Sequence, residues 1–137
     1  MKKKLDILLI EDNIIEIMKM QRTISLLGLQ HTVKEAKNAE DALKFLEDKT
    51  KLPDIILLDL NMPKVSGIEF LSILKNDENY KHIPTIILTT SDNQKDLLSC
   101  YKIGVSGYML KPLKYDDYVK KIATVLNYWS ENEFKVK

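Results

Sequence analysis

Four apolar runs of this 137-residue chain lead into side chains that can do chemistry. LDILLI (5–10) is followed by Glu11 and Asp12, DIILLD (54–59) closes on Asp59, TIILTT (85–90) closes on Thr89 and Thr90, and GYML (107–110) runs into Lys111 and Pro112. Taken singly, an acid or hydroxyl at such a place caps the next helix or turns the chain. Taken together, these residues supply three carboxylates, hydroxyls and an ammonium. Two carboxylates about 5 Å apart repel by roughly 3 kcal/mol at an effective dielectric near ~20, so three ionised acids in one place require a cation. Hard oxygen donors with open positions suit a magnesium-sized ion, which keeps several waters, and Lys111 adds a mobile positive charge. Acids, a dication, a hydroxyl and a lysine make a site for a phosphoryl group. The sequence has neither GxxxxGK(S/T) nor GxGxxG to hold a nucleotide. The phosphoryl group must then be received from elsewhere, with Asp59 as the candidate nucleophile.

Those ends meet only if the runs are neighbouring parallel strands, and the intervening segments have the spacing for that. NIIEIMKMQRTISLL (13–27) carries apolar residues near helical spacing, with Gly28 as its stop. HTVKEA (31–36) alternates weakly, as an edge strand would. Asn38 can cap AEDALKFLEDK (39–49), in which Ala39, Ala42, Leu43 and Leu46 share a face. Further helices are predicted from Gly67 to Lys75, from about Asp92 to Ile103 with Gly104 as stop, and from Tyr115 onward, with Tyr118, Val119, Ile122, Leu126 and Trp129 on one side. Strands alternating with helices of this length predict an α/β fold: a five-stranded parallel sheet with five helices covering both faces through right-handed crossovers. Ligands of such sheets bind outside the carboxyl ends of the strands, where strand order reverses. No linker or repeat divides the chain, so residues 1–137 are expected to form one domain.

Composition narrows the function. Apolar residues make up 45% and charged residues 30%, a globular balance. A net charge of +1 argues against a nucleic-acid surface. No apolar segment approaches the ~20 residues that span a bilayer, the start MKKKLD lacks the long uncharged stretch of a secretory leader, and the lone Cys100 fits a reducing cytoplasm. Lys2 to Lys4 read as a solvated tail.

The motifs IEDN, LLDLNMPKVSG, IPTIILTTS and GYMLKP, in register, resemble the receiver domain of two-component response regulators, of the single-domain chemotaxis and phytochrome-associated type. Thr89 follows Asp59 by 30 positions and Lys111 follows it by 52, as in that family. The resemblance covers residues 4–129, leaving 130–137 as a short extension. It implies the flavodoxin-like strand order 2-1-3-4-5 and a phosphorylation-dependent switch rather than a classical enzyme, one that catalyses only its own phosphoryl transfer and autodephosphorylation. By position, Asp59 would accept phosphate from a sensor histidine kinase, with a phytochrome-type kinase one candidate, or from a phosphotransfer protein. Glu11, Asp12 and Asp59 would hold Mg2+ together with the backbone carbonyl of Asn61. Thr89 and Lys111 would contact the phosphoryl oxygens, and Tyr108 would turn inward as the Thr89 loop moves. Pro112 would follow a cis peptide that fixes the Lys111 loop, and Gly67 would let the loop after the third strand turn into its helix. The fourth helix, fifth strand and last helix would present a changed face to a downstream protein or to a second copy in a homodimer. Thr90 stands where many relatives carry alanine, and Asn61 and Ser91 stand where side chains help or hinder the attacking water. The Tyr128–Trp129 pair is closer to the phytochrome-associated type.

Other residues carry plainer expectations. His31 and His82 are expected to be surface or turn residues and Cys100 a packing residue. Either Tyr101, Tyr118, Tyr128 and Trp129 form an exposed aromatic patch on the fourth and last helices, or Trp129 and Tyr118 simply cover the sheet. A constitutive scaffold of the same fold would not need all of Glu11, Asp12, Asp59, Thr89 and Lys111. An aspartyl-phosphate phosphatase carries Asp-x-Asp after its first strand, where this chain has Glu-Asp-Asn, and EDNIIE is no flavin phosphate loop. With eight residues after Trp129, a DNA-binding output is not expected.

Overall fold

Residues 2–135 are described by the structure, a computed structural model; the last two residues of the extension expected over 130–137 lie outside them. Among the described residues the chain runs β1 (Asp6–Ile10), α1 (Ile14–Leu26), β2 (Thr32–Ala36), α2 (Ala39–Leu46), a 3-10 turn (Lys49–Lys51), β3 (Ile55–Leu58), α3 (Gly67–Lys75), β4 (Thr85–Thr89), α4 (Gln94–Ile103), β5 (Gly107–Leu110) and α5 (Tyr115–Ser130). Every strand pairing is parallel and the order is β2-β1-β3-β4-β5, the flavodoxin-like arrangement. From β1 the chain steps outward to β2, then returns past β1 to β3. The strand order therefore reverses between β1 and β3, and a crevice opens beyond their carboxyl ends.

The period-2 alternation of strand side chains divides the core into two layers. Ile7 and Leu9 of β1, with Ile55 and Leu57 of β3, face Ile17, Met20 and Ile24 of α1 and Tyr118, Ile122 and Leu126 of α5. Leu8, Ile10, Ile56 and Leu58 face the other way, onto Ala39, Ala42 and Leu46 of α2, Phe70, Leu71 and Leu74 of α3, and Cys100 of α4. The central strands β1, β3 and β4 are apolar on both faces because both are covered. Edge strands β2 and β5 are only partly buried.

Helix starts follow the caps. Asn13, Asn38, Ser66 and Asn93 each accept backbone N–H bonds from the first turn that follows, a contribution of about 1 kcal/mol each. Asn93 explains why α4 begins at Gln94 and not at Asp92. In α5 the buried stripe is Tyr118, Ile122, Val125, Leu126 and Ser130, while Val119 is half-buried. Of the aromatics, Tyr118 is buried under the sheet and Trp129 packs partly against the same layer, as the sheet-covering reading expects, while Tyr101 and Tyr128 are exposed.

The amino-terminal lysines are less free than expected. The Lys3 backbone N–H donates to the Ser130 carbonyl, and its ammonium lies 3.6 Å from the buried Asp54 carboxylate and 5.8 Å from the Phe134 ring centre. His31 holds the same end of the sheet: its Nδ1 accepts the Leu5 N–H at 2.9 Å. No helix among the described residues is long and apolar enough to cross a membrane.

Candidate functional site

The carboxyl ends of β1 and β3 are stitched together by backbone. Asp59 N–H donates to the Ile10 carbonyl at 3.1 Å, and Glu11 N–H donates to the Ala36 carbonyl of β2 at 2.9 Å. This ladder places the first residues beyond β1 beside the first residue beyond β3. Glu11, Asp12 and Asp59 each bring a carboxylate oxygen into one group whose members lie within 4.8 Å of one another. Glu11 and Asp59 are 3% and 6% exposed, whereas Asp12 faces solvent. Below them lies a cavity of about 10 Å³ lined by Leu9, Met20, Leu58, Leu88 and Tyr118 together with Glu11, Glu16, Asp59 and Lys111. That volume admits no more than a water molecule, so any larger group must arrive from the Asp12 side.

Lys111 is the cation of this cluster. Its backbone N–H donates to the Thr89 carbonyl at 2.8 Å, which fixes the start of its loop against the end of β4. Its ammonium, with a side chain only 7% exposed, lies 2.5 Å from Glu11 Oε1 and 3.3 Å from Glu16 Oε1. Burial is the largest influence on Lys111 and acts to lower its pKa. The Glu11 bond and the charges of Asp59, Glu11 and Glu16 together outweigh it and hold the lysine above its ordinary value, firmly protonated. Burial likewise dominates at Glu11 and holds its carboxyl above the usual value, aided by the Asp59 charge and opposed by Lys111 and the Asn13 N–H. Glu16 is driven up by burial, but Lys111 and Lys19 bring it below the ordinary carboxylate value.

The donor set fits a hard dication. Three carboxylate oxygens, two of them from buried side chains, are gathered with one lysine that is already shared with a fourth acid. Oxygen ligands of this kind suit magnesium or manganese, and the open Asp12 side leaves room for the waters such ions retain. Asn61, two residues beyond Asp59, lies in the exposed turn that follows.

Thr89, the last residue of β4, is fully buried and its Oγ1 accepts the Ser91 N–H at 3.3 Å; Thr90 is exposed. Tyr108 of β5 packs against the α2–α4 layer and donates its hydroxyl to the Ser91 carbonyl at 2.8 Å. Ser91 Oγ in turn donates to Asp96 of α4 at 2.7 Å. The turn that carries Thr89 is thus tied to β5 and to α4 at once.

One expectation needs correction. No cis peptide bond occurs among the described residues, so the bond before Pro112 is trans. Trans is the lower-energy isomer, and the Lys111 loop is held instead by its backbone bond to Thr89 and by the two acids on its ammonium. Gly67 is the first residue of α3, and it does not have a positive φ. Its need is for space: a Cβ there would lie 2.5 Å from Leu60 Cα and 2.6 Å from the Asp59 carbonyl oxygen.

The residue that sequence reasoning missed is Glu16. Three positions after the Asn13 cap, it reads as the reciprocal member of a capping box. The cap's own N–H, however, goes to Glu11 Oε2, and Glu16 gives its carboxylate to Lys111 and Lys19.

Comparison with known proteins finds relatives over most of the chain. Residues 7–123 match the family described as response regulator receiver domain. A probable methanogenesis regulatory protein, FilR2 of Methanothrix harundinacea, is 35% identical over 127 residues, covering 90% of this chain and 82% of its own. The response regulator Rcp1 of Synechocystis is 31% identical over 130 residues, covering 91% and 88%. Its manganese-bound structure superposes with a TM-score of 0.86 over 96% of this chain and 99% of that one, at 30% identity. The phosphorylated cyanobacterial phytochrome response regulator RcpA superposes with a TM-score of 0.90 over 98% and 100%, at 28% identity.

Proposed function

The chain belongs to the response regulator receiver family, and on that premise we propose that Asp59 is the phosphoacceptor of a two-component signalling switch. One observation carries the reading: Glu11, Asp12 and Asp59 converge within 4.8 Å at the strand-order reversal, with Lys111 buried among them. In the transfer, an Asp59 carboxylate oxygen attacks the phosphorus of a phosphohistidine. The new O–P bond forms as the N–P bond of the donor breaks, and the departing imidazole nitrogen takes up a proton. A magnesium ion held by Glu11, Asp12, Asp59 and the Asn61 carbonyl would supply charge neutralisation for the phosphoryl oxygens. The chain's own residues do the rest. Lys111 brings a protonated ammonium to one phosphoryl oxygen, Thr89 offers a hydroxyl to another, and the apolar floor of Leu9, Leu58 and Leu88 keeps bulk water from beneath the acid.

An acyl phosphate brings close to two negative charges. Two or three charge-assisted bonds at roughly 1.5–3 kcal/mol each could supply the ~5.5 kcal/mol that inverts a 1:99 equilibrium. Thr89 moves toward the phosphoryl group, and the Tyr108–Ser91–Asp96 links carry that movement to β5 and α4. The face that changes holds exposed Leu98 and Tyr101 of α4 and Leu110 of β5, and it is offered to a downstream protein or to a second copy of the chain. The phosphodonor is a sensor histidine kinase, and the likeness to the phytochrome response regulator RcpA supports one of the phytochrome type. The test is intact-mass analysis after incubation with a small phosphodonor. One phosphoryl group should add to the wild type with magnesium, and none with a chelator or on Asp59→Asn. A wild type that stays unmodified with magnesium and donor in excess would overturn the proposal.

A further inference from the structure

Glu16 divides its carboxylate between two lysines. Oε1 lies 3.3 Å from the Lys111 ammonium and Oε2 lies 3.2 Å from that of Lys19, one turn along α1. The Lys19 ammonium in turn sits 4.4 Å from the ring centre of Tyr118, which is buried in the seam between α1, α5 and the sheet. A continuous series of charges and one aromatic face therefore runs from Asp59's neighbourhood into the α1–α5 layer beneath it: Glu11, Lys111, Glu16, Lys19, Tyr118. Lys111 is its pivot. Its side chain is almost wholly enclosed, so the partners open to it are the acids around it and whatever is attached to Asp59.

We propose that Glu16 is a positioning residue for Lys111. In the unmodified protein it holds the lysine toward α1 and sets how readily the lysine leaves for the phosphoryl group. It also carries that departure to the α1–α5 seam through Lys19 and Tyr118. The inference rests on the reading of Asp59 as phosphoacceptor. When a phosphoryl group competes for Lys111, the Glu16–Lys111 contact is the longer of the two acid contacts and the one on the less buried acid. It yields first. Glu16 then turns wholly to Lys19, and the charge over the Tyr118 ring shifts.

Binding of beryllofluoride, a phosphoryl stand-in, at saturating magnesium tests this. Apparent affinity is to be measured for the wild type, Glu16→Gln and Glu16→Asp, and for Glu16→Gln in a Lys111→Met background, with thermal melts confirming that each variant folds. Removing one long, partly exposed competing ion pair should tighten binding about three- to tenfold in Glu16→Gln, and Glu16→Asp should return it toward the wild-type value. In the Lys111→Met background the Glu16→Gln effect should vanish, because the coupling runs through the lysine. An undiminished effect there would mean that Glu16 acts as a plain repulsive charge, and would overturn the inference. On the wild type alone, beryllofluoride should shift the Tyr118 ring resonances and the Lys19 ammonium resonance; unmoved signals in a saturated sample would overturn the relay. A wild type that binds no beryllofluoride overturns the Asp59 reading, whereas a binding wild type with an indistinguishable Glu16→Gln overturns the role of Glu16 alone.

Discussion

Gly67→Ala places one methyl group where the backbone leaves no space for it. The new Cβ would stand 2.5 Å from Leu60 Cα and 2.6 Å from the Asp59 carbonyl oxygen, and ordinary contact begins at 3.4 Å. Both neighbours are backbone atoms, so no side-chain rotation relieves the clash. The start of α3 and the segment Asp59–Leu60 must separate by about 0.9 Å, against the Gly67 N–H bond to the Leu60 carbonyl at 3.1 Å. Overpacking of this kind costs about 1–3 kcal/mol, offset by up to ~1 kcal/mol from the better helix propensity of alanine. A net loss of about 1–2 kcal/mol should lower the melting temperature by roughly 3–10 °C in a domain of this size. Because the displaced segment includes Asp59, magnesium affinity should fall about tenfold, as for other residues that support a metal ligand. Thermal melting and magnesium titration read the two effects. Gly107→Ala is the control: its Cβ would meet Ile86 Cγ2 at 3.5 Å, an ordinary contact, and stability should stay within about 0.5 kcal/mol of wild type. If Gly67→Ala melts and binds magnesium like the wild type, the close approach of α3 to Asp59 is not what requires glycine.

Tyr108→Phe removes the hydroxyl that donates to the Ser91 carbonyl and should cost about 1 kcal/mol, read from the denaturant midpoint; an unchanged midpoint would show that the bond adds nothing. Stability should fall with acid through the histidine range. His31 is buried enough that its pKa lies below the ordinary 6.5, and its Nδ1 must stay unprotonated to accept the Leu5 N–H; His82 is shifted the same way by burial. Below pH 6.5 the unfolded chain takes up the proton before the folded one does. Stability present above that pH is therefore lost as pH drops through the folded-state pKa, and thermal melts of His31→Gln should show a shallower acid slope than the wild type. Cys100 is fully buried, and its thiol is pushed up to about 11 by burial, with Asp96 contributing. A thiol reagent near neutral pH should leave it untouched in the native protein and modify it on unfolding; rapid native labelling would contradict its placement against α3 and the sheet.

Much of this site could be read from the sequence because its parts stand at the ends of strands that are visible as apolar runs. LDILLI, DIILLD and TIILTT locate β1, β3 and β4 to within a residue at each end, and Glu11, Asp12, Asp59 and Thr89 follow from those ends. What stayed hidden depends on side-chain reach between distant segments. Glu16 and Lys111 are 95 positions apart in the chain, and the capping pattern around Asn13 offers a sufficient local reason for an acid at position 16. The tie between Lys3 and Asp54 is equally non-local, so a run of three lysines read as solvated. A glycine needed for space, as Gly67 is, cannot be told from one needed for a turn until Leu60 and Asp59 are seen beside it. Within α5 the helical period did separate the aromatics: Tyr118 lies on the stripe with Ile122 and Leu126, and Tyr128 lies off it.

The switch comes down to one covalent bond on the Asp59 side chain. Borohydride reduces an aspartyl phosphate to homoserine and leaves a free carboxylate unchanged, so treating the phosphodonor-exposed, magnesium-loaded protein with borohydride and mapping its peptides locates the modified residue. The account predicts homoserine at position 59, dependent on both donor and magnesium. Homoserine at position 12, or at any other aspartate while Asp59 stays intact, would contradict it.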